Sequence, residues 1–346
     1  MKKQADRYLT PFFFELLRYL EQGKTGFHTP GHRGGISWGD GWQPEDLLRI
    51  DLTELSGLDW ERAKTDAERL AAEFYHADQS FFLVQGATQG LHASMLGCFN
   101  PGDRVFVARN CHSSVYNGLI LADLYPIYID IDYVPGWGLP EGVNLAALQQ
   151  AVKDHPEAKG LILTNPTYQG IATRVNAIRQ VIGDRILIID EAHGGHFEWW
   201  GKPDYSAFIA ADLWIQGTHK FLGSLTQTGF LHIKGPRVDL GRIARSLQWI
   251  STTSPSFVFM ASLDLNRAYL AGEGRTLFNR SLEQMTELKR SLASLPGIRV
   301  LQDGDTAHGE RIVDPWRLSC SWLDAGLTGY EVDRMLREEY NIQAEY

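Results

Sequence analysis

Between Ser80 and Lys234 short apolar runs alternate with longer segments of helical character, and this alternation restricts the fold more than any other feature of the 346 residues. Phe81-Phe82-Leu83-Val84 leads into a helix opening at Gly86; residues 104–108 and 125–131 are rich in β-formers; 160–164, 185–190 and 212–216 follow, each after a plausible helix. Strands this apolar have no polar face to offer water, so they predict a parallel sheet covered by helices on both sides. Ligands of such a sheet gather at the carboxyl ends of its strands.

The flanks are less regular. Phe12, Phe13, Leu16, Leu17 and Leu20 fall at helical spacing and predict an amphipathic docking helix over 11–21. Residues 22–60 are glycine-rich around His28-Thr29-Pro30-Gly31-His32-Arg33-Gly34-Gly35 and read as an ordered loop. A long helical pattern over 277–295 stops at Pro296-Gly297, and 298–301, 317–322 and 329–339 then predict strand, strand and helix of a small second domain. Residues 340–346 read as one more strand with no sheet completed around it. The expected division is a helix and loop segment over 1–60, a large domain over 61–272, and a linker helix with an incomplete small domain over 273–346.

Composition removes several classes of function. A net charge of −9 without a Lys/Arg cluster offers no footprint for nucleic acid. Met1-Lys2-Lys3 could open a signal peptide, but Gln4, Asp6, Arg7, Glu15 and Arg18 interrupt any apolar core. The longest uncharged stretch, 79–102, is too polar to span a membrane. Three cysteines, Cys98, Cys111 and Cys320, are too few and too scattered for a disulfide frame or a cysteine-based zinc site, and suit a reducing cytoplasm.

Four strand ends carry the chemistry. In Trp214-Ile215-Gln216-Gly217-Thr218-His219-Lys220, a lysine follows a buried strand and a turn, where a desolvated amine loses its proton and forms a Schiff base. Taken alone it reads first as a surface lysine past a strand. Four apolar residues from Ile186 deliver Asp190 at a strand tip, where a carboxylate is costly unless a cation faces it; the bland alternative is a cap for the turn through Ala192 and Gly194. Gln85-Gly86-Ala87-Thr88-Gln89-Gly90 sits at a strand-to-helix junction, where backbone N–H groups, the helix dipole and the Thr88 hydroxyl suit an anion, although such turns also occur for backbone reasons. His112 in Arg109-Asn110-Cys111-His112-Ser113-Ser114 follows another strand, and its imidazole could lie on an aromatic ring. A phosphate, an aromatic ring, a basic ring nitrogen and an aldehyde that needs a lysine occur together in pyridoxal 5′-phosphate.

At these residues the chain resembles the fold-type I pyridoxal-phosphate enzymes and, within them, the bacterial ornithine/lysine/arginine decarboxylases. The likeness runs through Phe27-His28-Thr29-Pro30-Gly31-His32, Asp51-Leu52-Thr53-Glu54, Gly86-Ala87-Thr88, Arg109-Asn110-Cys111-His112, Thr164-Asn165-Pro166-Thr167-Tyr168-Gln169-Gly170, Asp190-Glu191-Ala192-His193 and Thr218-His219-Lys220. It implies an aspartate aminotransferase-like α/β fold: a mostly parallel seven-stranded sheet covered by helices, with a small, incomplete C-terminal α+β domain. By the same resemblance, Lys220 carries the cofactor, Asp190 pairs with its ring nitrogen, His112 stacks on one ring face and Ala192 packs the other. Gly86, Ala87, Thr88 and His219 belong to the phosphate site, His193 lies near the ring hydroxyl, and Ser254 in Thr252-Thr253-Ser254-Pro255-Ser256 is offered across a homodimer interface. Lys220 and His219 are both candidates to handle the Cα proton.

The implied reaction is decarboxylation of arginine, lysine or ornithine in a cytoplasmic enzyme. Asp51, Glu54 and Asp59 could attract the substrate's cationic side chain or simply be solvated. Two departures stand out. Gly217 replaces a serine usual in the family, and relatives continue well beyond position 346, leaving a reduced member, a fragment or a chain completed by oligomerising as open readings. Rivals are an aminotransferase or lyase, and a cofactor-binding relative without turnover. A nucleotide-driven enzyme suggested by Asp190-Glu191-Ala192-His193 lacks its phosphate loop, since Arg18 stands where the first glycine before Gly23-Lys24-Thr25 belongs. Metal pairs His193/His196 and His28/His32 lack hydrolase spacing, so no metal is expected.

Overall fold

The computed structural model describes residues 9–23, 49–307 and 311–344. The run around His28 and His32 lies outside them, as does the Gly23-Lys24-Thr25 motif beyond its glycine. Helix α1 (Pro11–Glu21) forms where the spacing predicts it, with Pro11 at its first turn and Phe12, Phe13 and Leu16 buried. The amides of Phe12 and Phe13 donate to Asp264 Oδ2 at 3.1 and 3.2 Å, so a carboxylate from a distant helix caps α1 and fixes its docking angle. Helix α2 (Trp60–Phe74) is capped by Asp59, which accepts from the Arg62 amide.

The large sheet has seven strands: β1 (Gln79–Leu83), β2 (Arg104–Ala108), β3 (Tyr125–Ile129), β6 (Gly160–Thr164), β8 (Ile186–Asp190), β9 (Leu213–Gln216) and β10 (Gly229–Ile233). Their spatial order is β1-β10-β9-β8-β6-β2-β3. All neighbours run parallel except that β10 is antiparallel to both β1 and β9. The centre is apolar throughout, with Val105, Phe106, Leu161, Ile162, Ile188, Ile189, Trp214 and Ile215 all buried. Register places Thr164 opposite Asp190 and Asp190 opposite Ile215, so three adjacent strands end at one level. Helices α3 (Gly86–Cys98), α4 (Ser113–Leu121), α5 (Leu145–Asp154), α6 (Val175–Ile182), α7 (Thr218–Phe221) and α8 (Leu240–Ile250) connect and cover the sheet, while β4 (Ile131–Tyr133) and β5 (Pro140–Val143) form a side hairpin.

Several details differ from the sequence reading. No α-helix precedes β9; three short 3₁₀ turns, Phe197–Trp199, Pro203–Tyr205 and Ala207–Ile209, fill the connection. Pro203 interrupts helix there, and the buried Glu191 carboxylate holds the last turn through Ser206 Oγ and the Ala207 amide. Helix α9 (Phe257–Ala293) runs 37 residues, beginning well before 277. Beyond it, β11 (Arg299–Val300) pairs with β13 (Cys320–Ser321), and β12 (Arg311–Val313) pairs with β7 (Ile171–Thr173) of the large sheet's surroundings. Helix α10 (Gly329–Glu339) opens on a Thr328/Glu331 capping box. Residues 340–344 are not a strand: Asn341 turns to φ 53° and the Ile342 amide returns to the Leu336 carbonyl, so the chain is spent on closing the helix. Among the described residues no helix is long and apolar enough to cross a membrane.

Candidate active site

The carboxyl ends of β6, β8 and β9 lie side by side, and β1 and β2 lead into the starts of α3 and α4. Helix α3 starts at Gly86, whose φ of 78° is a left-handed conformation that suits glycine. Its first turn has no side-chain cap, which leaves orphan N–H groups, those of Ala87 and Thr88 among them, with the helix dipole behind them. The Gly86 amide itself donates to the Gln227 carbonyl at 2.8 Å.

The Ser254 segment joins this turn from within the same chain. Thr252 N–H donates to Gln85 Oε1 at 3.3 Å and Gln89 Nε2 donates to Ser251 Oγ at 2.6 Å, while Ser254 is exposed and donates its own amide to Thr252 Oγ1. His112 caps α4, accepting at Nδ1 from the Ser114 amide at 3.2 Å with Ser114 Oγ at 2.8 Å. This cap holds the imidazole at the end of β2, near enough to act electrostatically on both Asp190 and His193.

Asp190 is 4% exposed at the tip of β8. Its Oδ1 accepts from the Ala192 amide at 3.1 Å, so the turn-capping reading and the buried-carboxylate reading are both realised. Burial pushes its carboxyl above the usual range, offset by that N–H and by the nearby Lys220 and His112 side chains. A carboxylate held this way calls for a cationic partner. The buried Thr164 hydroxyl, opposite it in register, lies beside the Cys111 thiol.

Lys220 corrects one expectation. It is exposed in the single chain rather than desolvated, and it stands on the one four-residue turn of α7. Its Nζ lies 3.0 Å from His193 Nε2. On the other side of that ring, Arg317 Nη2 is 2.5 Å from Nδ1. Burial first, then the adjoining Lys220 and Arg317 side chains, depress the His193 imidazole to about 3, so the ring is neutral. Tyr168 meets it edge-on at 5.3 Å. His219 is tied through Nδ1 to the Thr228 carbonyl at 2.9 Å, which makes Nδ1 the N–H and leaves Nε2 to take or give a proton.

Gly217 lies against this group. A side-chain carbon there would sit 3.3 Å from the Ala192 carbonyl oxygen and 3.4 Å from Lys220 Cδ, so the serine of the family has little room. Of the acidic residues considered for a cationic substrate, Asp59 is the α2 cap and Glu54 accepts from Ser56 Oγ. His196 is buried against Asp314. Arg317 and Tyr168 were not singled out by sequence. Tyr168 stood inside a family-like string, but a lone arginine beyond Trp316 carries no signal until the fold returns it to the β8 turn.

The residues therefore fit pyridoxal phosphate: an uncapped glycine-led helix start for the phosphate, a buried carboxylate for the ring nitrogen, a histidine beside it and an accessible lysine amine. Residues 10–316 match the family described as Orn/Lys/Arg decarboxylase, major domain. An arginine decarboxylase of Bacillus subtilis is 33% identical over 97% of this chain and 71% of its own length. One of Bacillus anthracis is 32% identical over 99% of this chain and 72% of its own. The solved lysine decarboxylase A from Pseudomonas aeruginosa shares the fold with a TM-score of 0.82, at 22% identity, over 98% of this chain and 56% of that one. The chain spans about seven tenths of the two arginine decarboxylases and little more than half of the solved lysine decarboxylase.

Proposed function

The chain belongs to the Orn/Lys/Arg decarboxylase family, and from that premise we propose that it uses pyridoxal phosphate to remove the α-carboxyl group of a basic amino acid as carbon dioxide, leaving the amine. The observation that supports this reading is the buried Asp190 carboxylate at the tip of β8, with Lys220 near enough to act on it and His193 Nε2 3.0 Å from the Lys220 amine. Bound pyridoxal phosphate supplies an electron sink for the pair left at Cα when the carboxyl departs. Asp190 would hold a proton on the ring nitrogen by its negative charge, which a buried site makes effective. Gly86, Ala87, Thr88 and His219 would hold the phosphate, and His112 and Ala192 would pack against the ring. Lys220 anchors the group, and Lys220 Nζ or His219 Nε2 returns the proton to Cα. Relatives named arginine decarboxylase make arginine the first substrate to assay, with lysine and ornithine beside it.

Added cofactor is expected to give a protein-bound absorption band that Lys220→Ala lacks, with carbon dioxide release from one of the three amino acids. No band in the native chain removes the cofactor assignment; transamination without carbon dioxide transfers the reading to an aminotransferase, and binding without product to a non-catalytic relative. The same reading includes a cytoplasmic homodimer. Its support is the family resemblance of the Ser254 segment and the apolar side chains Ile120 and Trp249, 79% and 72% exposed. A native mass equal to that of one chain would remove the dimer.

A further inference from the structure

His193 stands between two groups that ordinarily only donate. A guanidinium keeps its protons at any working pH and has no acceptor, so the 2.5 Å contact from Arg317 Nη2 requires a lone pair on His193 Nδ1. A neutral imidazole with a bare Nδ1 carries its single proton on Nε2. That N–H faces Lys220 Nζ at 3.0 Å, and an ammonium there would set donor against donor. The contact is a hydrogen bond only if Lys220 supplies a lone pair.

We propose that Arg317 is a positioning residue that fixes the proton of His193 on Nε2 and thereby holds Lys220 as a neutral, nucleophilic amine. The device deepens the proposed function, since an anchoring lysine acts only as a free amine. It also replaces the burial that sequence led us to expect, because Lys220 is exposed. Burial of the imidazole, which already keeps it neutral, works in the same direction.

Arg317 is itself held in place. Its amide donates to the Asp314 carbonyl at 3.2 Å, and its stem lies where a side chain at Gly170 would have to be, with Cγ only 2.6 Å from such a carbon. Among the described residues, the charged and titratable groups around Lys220 include Asp190 from β8, His193 and Arg317 on either side of the relay, His112 at the start of α4 and His219 on its own turn. Arg317 disfavours the ammonium and Asp190 favours it. The hydrogen-bond direction through His193 decides between them.

The test uses the full-length chain without added cofactor, so its outcome is independent of whether the protein decarboxylates anything. Nitrogen-15 NMR of labelled histidine should show His193 protonated on Nε2 alone. The pH profile of Lys220 acylation by acetic anhydride, read by peptide mass, should move to higher pH in Arg317→Met, with about tenfold less reaction at pH 8 for each unit of movement. Arg317→Lys, which keeps a cationic donor toward Nδ1, should restore both readouts in large part. A proton on Nδ1 in the native chain, or superimposable acylation profiles for native and Arg317→Met, overturns the proposal. Should Arg317→Met not fold, the native tautomer decides alone.

Discussion

At the scale of single residues, Asp190 separates stability from chemistry. Its carboxylate is buried with one backbone donor, so it costs the fold something and repays that only through a cationic ligand. Asp190→Asn keeps an oxygen for the Ala192 amide while removing the charge. The variant is expected to unfold at a temperature no lower than the native chain, yet to lose about 100-fold or more in carbon dioxide release. A drop in melting temperature with unchanged turnover would make the residue a turn cap and nothing else. Asp190, Lys220 and the Gly86 turn could be read from sequence because each follows an apolar run directly. The state of Lys220 could not, since it depends on a ring 27 residues back and an arginine almost a hundred residues on.

Strands β1, β8, β9 and β10 share a buried polar chain that no motif announced. Ser80 Oγ lies 2.7 Å from His232 Nδ1, His232 Nε2 lies 3.3 Å from Gln216 Oε1, and Gln216 Nε2 donates to Glu191 Oε2 at 2.8 Å. Satisfied in one direction, it runs hydroxyl to imidazole to amide to carboxylate, which requires a neutral His232. Burial holds that imidazole down at about 3. A histidine depressed in the folded state adds stability above its unfolded value near 6.5 and loses it as pH falls. Between pH 6.5 and 5 His232 should therefore cost about 2 kcal/mol. His232→Gln should lose less than the native chain in urea unfolding over that interval; equal losses would refute the account. The polar chain also explains why β10 escaped the sequence reading, for glycine and histidine break its apolar run, and its antiparallel place breaks the βα rhythm. The first half of α9 was hidden differently: Phe257, Val258, Met260, Ala261 and Leu263 are buried around most of its girth, which erases the one-sided period on which a sequence reading depends.

For the molecule as a whole, the question is what holds the segment after α9 against the large sheet, because that segment brings Arg317 to His193. The β7–β12 ladder is only three residues long. Two buried ties add to it: Arg311 bridges to Glu141 at 3.0 Å, and His196 Nε2 lies 2.6 Å from Asp314 Oδ2 with both side chains 0% exposed. His196 packs among Phe221, Phe278 and Trp316, which come from the Lys220 turn, from α9 and from the C-terminal segment. One buried pair therefore sets the spacing of three parts that meet at the site. Removing one partner of such a pair leaves a polar group stranded, and Asp314→Ala should cost about 3–5 kcal/mol in urea unfolding. Adding His196→Phe should recover part of that loss, since an aromatic ring suits the surrounding stack and needs no acceptor. A single variant within about 1 kcal/mol of native would show that the segment is held by other contacts. A double variant worse than the single would show that the histidine is retained for its shape against these rings rather than for its bond to Asp314.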